Sequence, residues 1–144
     1  MNTLPLAGSG TPDDINKLKR VVQRRGLVGA ANDTKWNELI AFARGLESWR
    51  PSYRTKWIEG HISGWDVEWF YHLPIPFIGV EWLDISLVQR VHRGRLVAPE
   101  VIDHSTEILT AINTIGFESE VRGEVVRIWG YLPKSFEDCL RSDA

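Results

Sequence analysis

Apolar residues recur along the chain first at helical spacing, then in strand-like alternation, then at helical spacing again, and finally in alternation. Ile15, Leu18, Val21 and Val22 form a stripe with the 3.6-residue period of an amphipathic helix. Its ends are marked as well. Thr11 is placed to cap, Pro12 suits the first turn, Asp13 and Asp14 complement the positive end of the helix dipole, and Arg24, Arg25 and Gly26 close it. A second helix, KWNELIAFARGL, begins after Asp33 or Thr34 as cap. It places Trp36, Leu39, Ile40, Ala43 and Leu46 on one face. Arg50-Pro51 ends that region, because a residue before proline avoids the α conformation.

Alternation follows. Residues 53–59 read as a first strand and 66–73 as a second, with Val67, Trp69, Tyr71 and Leu73 on one face and Asp66, Glu68, Phe70 and His72 on the other. Pro74 and Pro76 exclude the next stretch from a sheet centre, since neither donates to a ladder. A third, more apolar strand spans 80–87 and carries Glu81 and Asp84 on opposite faces. Pro99 then opens a third helix with Val101, Ser105, Ile108, Leu109, Ile112 and Ile115 on one side and Gly116 at its end. Residues 118–132 form a hairpin around Gly123, and KSFEDCL near the end reads as a short helical piece. Helix, helix, three strands, helix and two strands define an α+β fold: a two-layer sandwich, with an antiparallel sheet of about five strands and helices packed on one face. The expected organisation is a flexible N-terminus over 1–10, a basic amphipathic helix over 11–26, a small-residue linker over 27–31 and a single α+β domain over 32–140. The expected core holds Trp36, Leu39, Trp69, Tyr71, Ile108, Leu109 and Ile112.

Composition narrows the function more than the fold. The 144 residues suffice for one domain that folds without disulfides or metal. A net charge of −2 argues against a general nucleic-acid binder, which would be clearly basic. The charge is unevenly distributed, with the chain up to residue 65 net positive and the remainder net negative, an asymmetry suited to steering a charged partner. The single cysteine, Cys139, excludes a disulfide framework and reads as a structural thiol. The opening MNTLPLAGSG lacks the basic start and apolar run of a signal peptide, no stretch is apolar for long enough to span a bilayer, and the expected location is the cytoplasm.

Candidate chemistry is sparse. Asp66, Glu68 and His72 would share the polar face of the second strand, a set able to do acid–base work or hold a metal, although a solvated strand face with cross-strand ion pairs has the same pattern. The four histidines show no metal-ligand spacing, and no nucleophile elbow, phosphate loop or dinucleotide fingerprint occurs. The basic helix and the QRVHRGR stretch (89–95) could touch phosphate, but without interleaved aromatics they read better as solvated surface. Tryptophan is the more telling residue: seven Trp exceed five Phe, and Trp is enriched at interface hot spots. Trp36, Trp69 and Trp82 belong in a core, whereas Trp49, Trp57, Trp65 and Trp129 are less constrained. These features favour a binding protein over an enzyme, without metal, cofactor or membrane, and with nucleic acid disfavoured as partner. The expected contact surface is Trp65, Asp66, Glu68 and Glu81.

The segments NDTKWNEL, YRTKWIEGHISGWDVEWFYHL, VEWLDI and the DHSTEILTAI helix with IGF behind it carry a resemblance. Over roughly residues 32–132 the chain resembles a family of small, uncharacterised bacterial proteins with a TKW helix start and a GxISxWDxEWxYH core; the basic helix and QRVHRGR lie outside that pattern. In size and fold type it is also similar to immunity proteins of toxin systems. That similarity implies a cytoplasmic protein that occludes the active site of a cognate toxin and needs no catalytic residue of its own. The alternatives are a small enzyme using Asp66, Glu68 and His72, and a nucleic-acid-associated module using the basic helix and the 89–95 loop.

Overall fold

The structure, a computed structural model, describes residues 4–138. Helix α1 runs Pro12–Arg25. The Thr11 hydroxyl accepts the Asp14 N–H at 3.1 Å, and Gly26 adopts the left-handed conformation (φ 65°) that closes the last turn at no steric cost. Helix α2 spans Asp33–Gly45 and is capped by Asn32, just ahead of the expected Asp33 or Thr34: its side-chain oxygen accepts the Lys35 N–H at 3.0 Å.

The central sheet is antiparallel and has four strands in the order β2 (Tyr53–Trp57), β3 (Val80–Ser86), β7 (Val125–Trp129) and β6 (Glu118–Arg122). Two small antiparallel pairs flank it. One joins β1 (Val28–Gly29) to β8 (Tyr131–Leu132), and the other joins β4 (Val88–Val91) to β5 (Glu100–Asp103). Helix α3, Ser105–Ile115, follows β5. The α+β expectation holds, with four strands in the main sheet instead of about five, because residues 66–73 form no strand and meet β2 only in an isolated bridge between Tyr53 and Asp66.

Two further boundaries differ from the sequence reading. Residues 100–103 pair with β4, so the third helix starts at Ser105 and not at Pro99. Its start is set by the Asp103 carboxylate, which accepts the Ser105 N–H at 2.8 Å and leaves Val101 half exposed on the strand. At the other end, residues 134–138 are not helical; the rest of the KSFEDCL segment, Cys139 included, lies outside the described residues. Residues 4–10, expected as a flexible lead-in, are tied down. The buried Ala7 takes the Asn37 side-chain oxygen on its N–H at 2.7 Å and accepts the Phe77 N–H at 2.9 Å.

The core lies between the sheet and helices α2 and α3. Trp36, Leu39, Ile40, Ala43, Ile108 and Ile112 pack against Tyr53, Leu83, Ile85, Val126 and Ile128, all buried. Helix α1 docks at one end of the sheet through a second cluster of Leu18, Ile58 and Tyr131, and Arg25 in its last turn reaches the Ile58 carbonyl at 2.7 Å. Close approach fixes Gly130, where a Cβ would sit 2.3 Å from the Val80 carbonyl oxygen.

The opposite sheet face is buried at its centre, at Trp82, Asp84, Arg127 and Trp129, but it is polar and aromatic. Register aligns Arg54, Asp84, Arg127 and Glu120 in one row across all four strands, and Lys56, Trp82, Trp129 and Glu118 in the next. Charges alternate along the first row, which is what cross-strand pairing rewards. A register shift at the Lys56–Trp57 step leaves Glu81 unpaired in the ladder, and its carboxylate lies 3.8 Å from Lys56.

Trp69 and Tyr71, expected together in the core, are separated: Trp69 is fully buried and Tyr71 is 61% exposed. In denaturant unfolding, Trp69→Ala should cost about 3–5 kcal/mol, as for emptying a large aromatic site. Tyr71→Ala should stay within about 0.5 kcal/mol, as for an exposed position. Equal losses at the two positions would contradict this packing.

Candidate functional site

The segment from His61 to Pro76 holds four of the candidate residues singled out by sequence, Trp65, Asp66, Glu68 and His72, and its own polar side chains shape it. Residues 61–66 run along the outer edge of β2 in two isolated bridges, Lys56 with Ile62 and Tyr53 with Asp66. The Ser63 hydroxyl accepts the Thr55 N–H at 2.9 Å, so the edge is covered without a continuous strand. Beyond Asp66 the chain turns. The Asp66 carboxylate accepts the Glu68 N–H at 3.0 Å. One Glu68 carboxylate oxygen then accepts the N–H groups of Phe70 (3.0 Å), Tyr71 (2.7 Å) and His72 (2.8 Å). These bonds satisfy main-chain donors that a strand would have offered to a neighbour, which is why the alternating pattern of 66–73 does not become a strand.

The inner side of this loop is locked to the body. Trp69 is buried, stacks at a tilt on Tyr53 (4.5 Å between ring centroids) and donates its indole N–H to the Pro51 carbonyl at 2.8 Å. Tyr53 donates its hydroxyl to the Glu68 carbonyl at 2.5 Å. Burial, with Asp66 and Glu68 nearby, pushes the Tyr53 phenol well above its ordinary value, so it remains a donor. Arg44 of α2 donates to the carbonyls of Trp69 (2.8 Å) and Phe70 (3.0 Å), and Arg44 and Arg50 both lie over the Phe70 ring.

The outer side faces solvent with large apolar groups: Trp65 is 45% exposed, Val67 62% and Tyr71 61%. Trp65 lies 5.3 Å from the Arg54 guanidinium. Between the loop and β2 is a concavity of about 400 Å³, walled by Tyr53, Trp57, Ser63, Trp65, Asp66 and His72. The His72 imidazole is 3.9 Å from the Asp66 carboxylate, too far for a hydrogen bond and close enough for an ion pair when the imidazole is protonated. Asp66 and His72, expected on an open strand face, therefore share a concave wall with Trp65.

Glu68 and Glu81 are placed differently from the expectation. Glu68 is spent on the loop's own backbone. Glu81 is 3% exposed, takes Arg25 at 2.8 Å and accepts the Ser135 hydroxyl at 3.2 Å, so its carboxylate belongs to the interior of the polar sheet face. The bulge that turns it there has no mark in the alternation of 80–87. Tyr71, which the sequence reading assigned to the core, is exposed, as is Val67, expected on the same strand face as Trp69. The signal was present in the acidic residues at 66 and 68, well placed to bind free N–H groups two to four residues on, and in the prolines that forbid a ladder just beyond.

Elsewhere, the solvent-facing Lys17, Lys19, Arg20 and Arg24 make up the basic face of α1, and Arg90 of the 89–95 stretch pairs with Glu124 at 2.8 Å. Among the described residues no group of three or more His, Cys, Asp or Glu side chains is arranged to hold a metal ion, and no helix is long and apolar enough to cross a membrane.

The model of a family described as "Family of unknown function (DUF6678)" matches residues 18–135. The chain belongs to that family. The match is wider than the resemblance over 32–132: it takes in the second half of α1. No curated protein and no solved structure matches the chain.

The Glu68 clasp has a pH signature. Burial raises its carboxyl, but the N–H bonds from His72, Tyr71 and Phe70 outweigh that and hold it below the ordinary 4.5. A depressed carboxyl contributes stability that is complete above its unfolded value and lost as pH falls through its folded one. The amide resonances of Phe70, Tyr71 and His72 should therefore shift together as pH drops below 4.5, and Glu68→Gln should abolish the shift. Glu68→Ala should cost about 1 kcal/mol, as for loss of a capping carboxylate.

Proposed function

We propose that this member of the DUF6678 family is a protein-binding module that engages its partner through the outer side of the 61–73 loop. In the fuller form of the reading, it is a bacterial immunity protein that acts in the cytoplasm and neutralises a cognate toxin by covering its active site. One observation carries the proposal: Trp65, Val67 and Tyr71 are held out to solvent by a loop whose inner side is locked by Trp69, Tyr53, Glu68 and Arg44. Displaying large apolar side chains in water is unfavourable, and doing so from a rigid loop lowers the ordering cost of binding. Tryptophan and tyrosine are the residues that dominate interface energetics. Asp66 beside Trp65 adds charge at the rim. With Glu68 and Glu81 engaged internally, Asp66 carries the acidic contribution first expected from three carboxylates.

Occlusion of this kind needs only shape and charge complementarity to the partner. The concavity behind Asp66 and His72 supports a second reading, a small enzyme with these two side chains as its acid–base pair. The readings separate at His72: a catalytic role requires it, whereas binding through the loop's outer side depends on Trp65 and Tyr71.

The test is partner capture from the source cell by the intact chain, followed by binding kinetics on the purified partner at two salt concentrations. Trp65→Ala should speed dissociation at least about thirtyfold, the effect of removing a 2 kcal/mol hot spot. Asp66→Lys should chiefly slow association, and more so at low salt, because screening at physiological ionic strength acts over about 8 Å. Wild-type kinetics in both variants would remove this loop as the interface.

A further inference from the structure

Among the described residues, the segment Pro133 to Asp138 covers the polar face of the sheet and crosses the strands instead of joining them. Lys134 lies near Glu118 and Glu120 on β6, at 3.5 and 3.8 Å. The Ser135 carbonyl accepts from the Arg127 guanidinium and the Trp129 indole on β7, each at 3.1 Å. The Glu137 carbonyl takes Arg127 at 2.8 Å. The Glu137 carboxylate takes the Trp82 indole of β3 at 2.7 Å and Lys56 of β2 at 3.0 Å. Finally, the Asp138 carbonyl takes Arg54 of β2 at 2.6 Å. Phe136 meets Trp129 edge-on at 5.2 Å and lies 4.8 Å from the Arg122 guanidinium.

Three features distinguish this segment from an ordinary surface crossing. Among the described residues no main-chain ladder bond joins 134–138 to the sheet; side chains of the sheet make the contacts, as they would to a bound peptide. The wall is rich in donors and cationic: Arg25, Arg54, Lys56 and Arg127 face two built-in carboxylates, Glu81 and Asp84. Those carboxylates keep their arginine and lysine partners without the segment, so the wall has a charge frame of its own. Meanwhile the segment itself stays accessible, with Phe136 40% exposed and the Glu137 side chain 41% exposed.

We propose that this face is a binding groove for an acidic peptide segment, and that residues 134–138 occupy it as an intramolecular ligand that a segment of like chemistry from another protein can displace. The chemistry recognised is a run of main-chain carbonyls with an aromatic residue followed directly by a carboxylate. The carbonyls satisfy Arg127, Trp129 and Arg54, the aromatic ring rests on Trp129, and the carboxylate completes the coordination of Lys56 and the Trp82 indole. The Glu137 carboxyl is suited to that place. Partial burial opposes its ionisation, but the Trp82 and Lys56 bonds prevail and hold it at about 2, so it is charged at neutral pH. The proposal is independent of the 61–73 loop as an interface. Arg54 lies against both Trp65 and Trp82, so the groove opens beside that loop.

Tethering gives the resident segment an effective concentration on the order of millimolar, so wild-type protein should take a free peptide poorly. The test uses the full-length chain carrying Phe136→Ala and Glu137→Gln, with a synthetic end-blocked peptide of sequence Lys-Ser-Phe-Glu-Asp as probe. Hydrogen exchange at residues 134–138 reports release of the segment, and tryptophan fluorescence reports occupancy of the groove. The expected result is faster exchange in the double variant, at least about tenfold tighter peptide binding than in wild type, and loss of that binding when the peptide's Glu is replaced by Gln. Released segments with no peptide bound, or equal binding of the Glu and Gln peptides, would overturn the proposal. So would unchanged exchange in the double variant, since the groove's hold on Phe136 and Glu137 would then be absent.

Discussion

The Asp84 carboxylate is the fixed point of this structure. It is 1% exposed on β3, one of the two inner strands of the sheet, receives Arg127 in two bonds of 2.7 and 3.0 Å, and receives Arg54 at 3.0 Å. The Arg127 guanidinium, itself 2% exposed, lies 3.4 Å from the Trp82 ring centroid. Burying such a pair costs desolvation free energy that its attraction repays only when the remaining hydrogen-bond capacity is also used. Two carboxylate–guanidinium contacts use what Asp84 offers, and the carbonyls of Ser135 and Glu137 take what Arg127 has left. Among the described residues, no buried side-chain nitrogen or oxygen lacks a partner.

That requirement gives the sheet two unlike interiors. Against helices α2 and α3 it presents Tyr53, Leu83, Ile85, Val126 and Ile128, where packing is apolar and undirected. Against the segment 133–138 it presents arginine, lysine, carboxylate and indole, where each contact depends on donor and acceptor geometry. The apolar layer supplies most of the driving force for folding. The polar layer selects what may lie on it, because a covering group must bring acceptors to meet the guanidinium and indole donors. Trp82 and Trp129 suit this layer, each burying a large ring while directing one N–H to an oxygen.

The 61–73 loop applies the same rule at the surface. Its carboxylates at 66 and 68 bind its own backbone, its aromatic ring at 69 anchors it inside, and its remaining apolar side chains face water. Rigid display of Trp65 and Tyr71 is thus a consequence of how the loop satisfies its main chain. The loop and the polar groove meet at Arg54, which lies against Trp65 on one side and against Trp82 and Asp84 on the other. The chain thereby has two adjacent surfaces of different chemistry, one apolar and outward, the other donor-lined and covered.

Local signals determined much of this by themselves. The caps of α1, the stripes of α1 and α2, the apolar third strand and the hairpin around Gly123 follow from periodicity and from the special backbone demands of proline and glycine, which do not depend on distant partners. Trp36 was legible as core for the same reason, from its place on the α2 stripe. What only the tertiary structure decided concerns where polar groups find partners. Residues 66–73 alternate like a strand, yet Glu68 satisfies their N–H groups locally and sends Tyr71 outward. Glu81 looks like a surface acid, yet a bulge in register buries it beside Arg25, a residue 56 positions away. Asp84, Arg127 and Arg54 come from three separate strands and become one cluster only when the strands pair in register. Hydrophobic spacing reports which face of an element is buried. Whether a buried face is lined by oil or by matched charge depends on residues far apart in the chain, and periodicity carries no trace of that pairing.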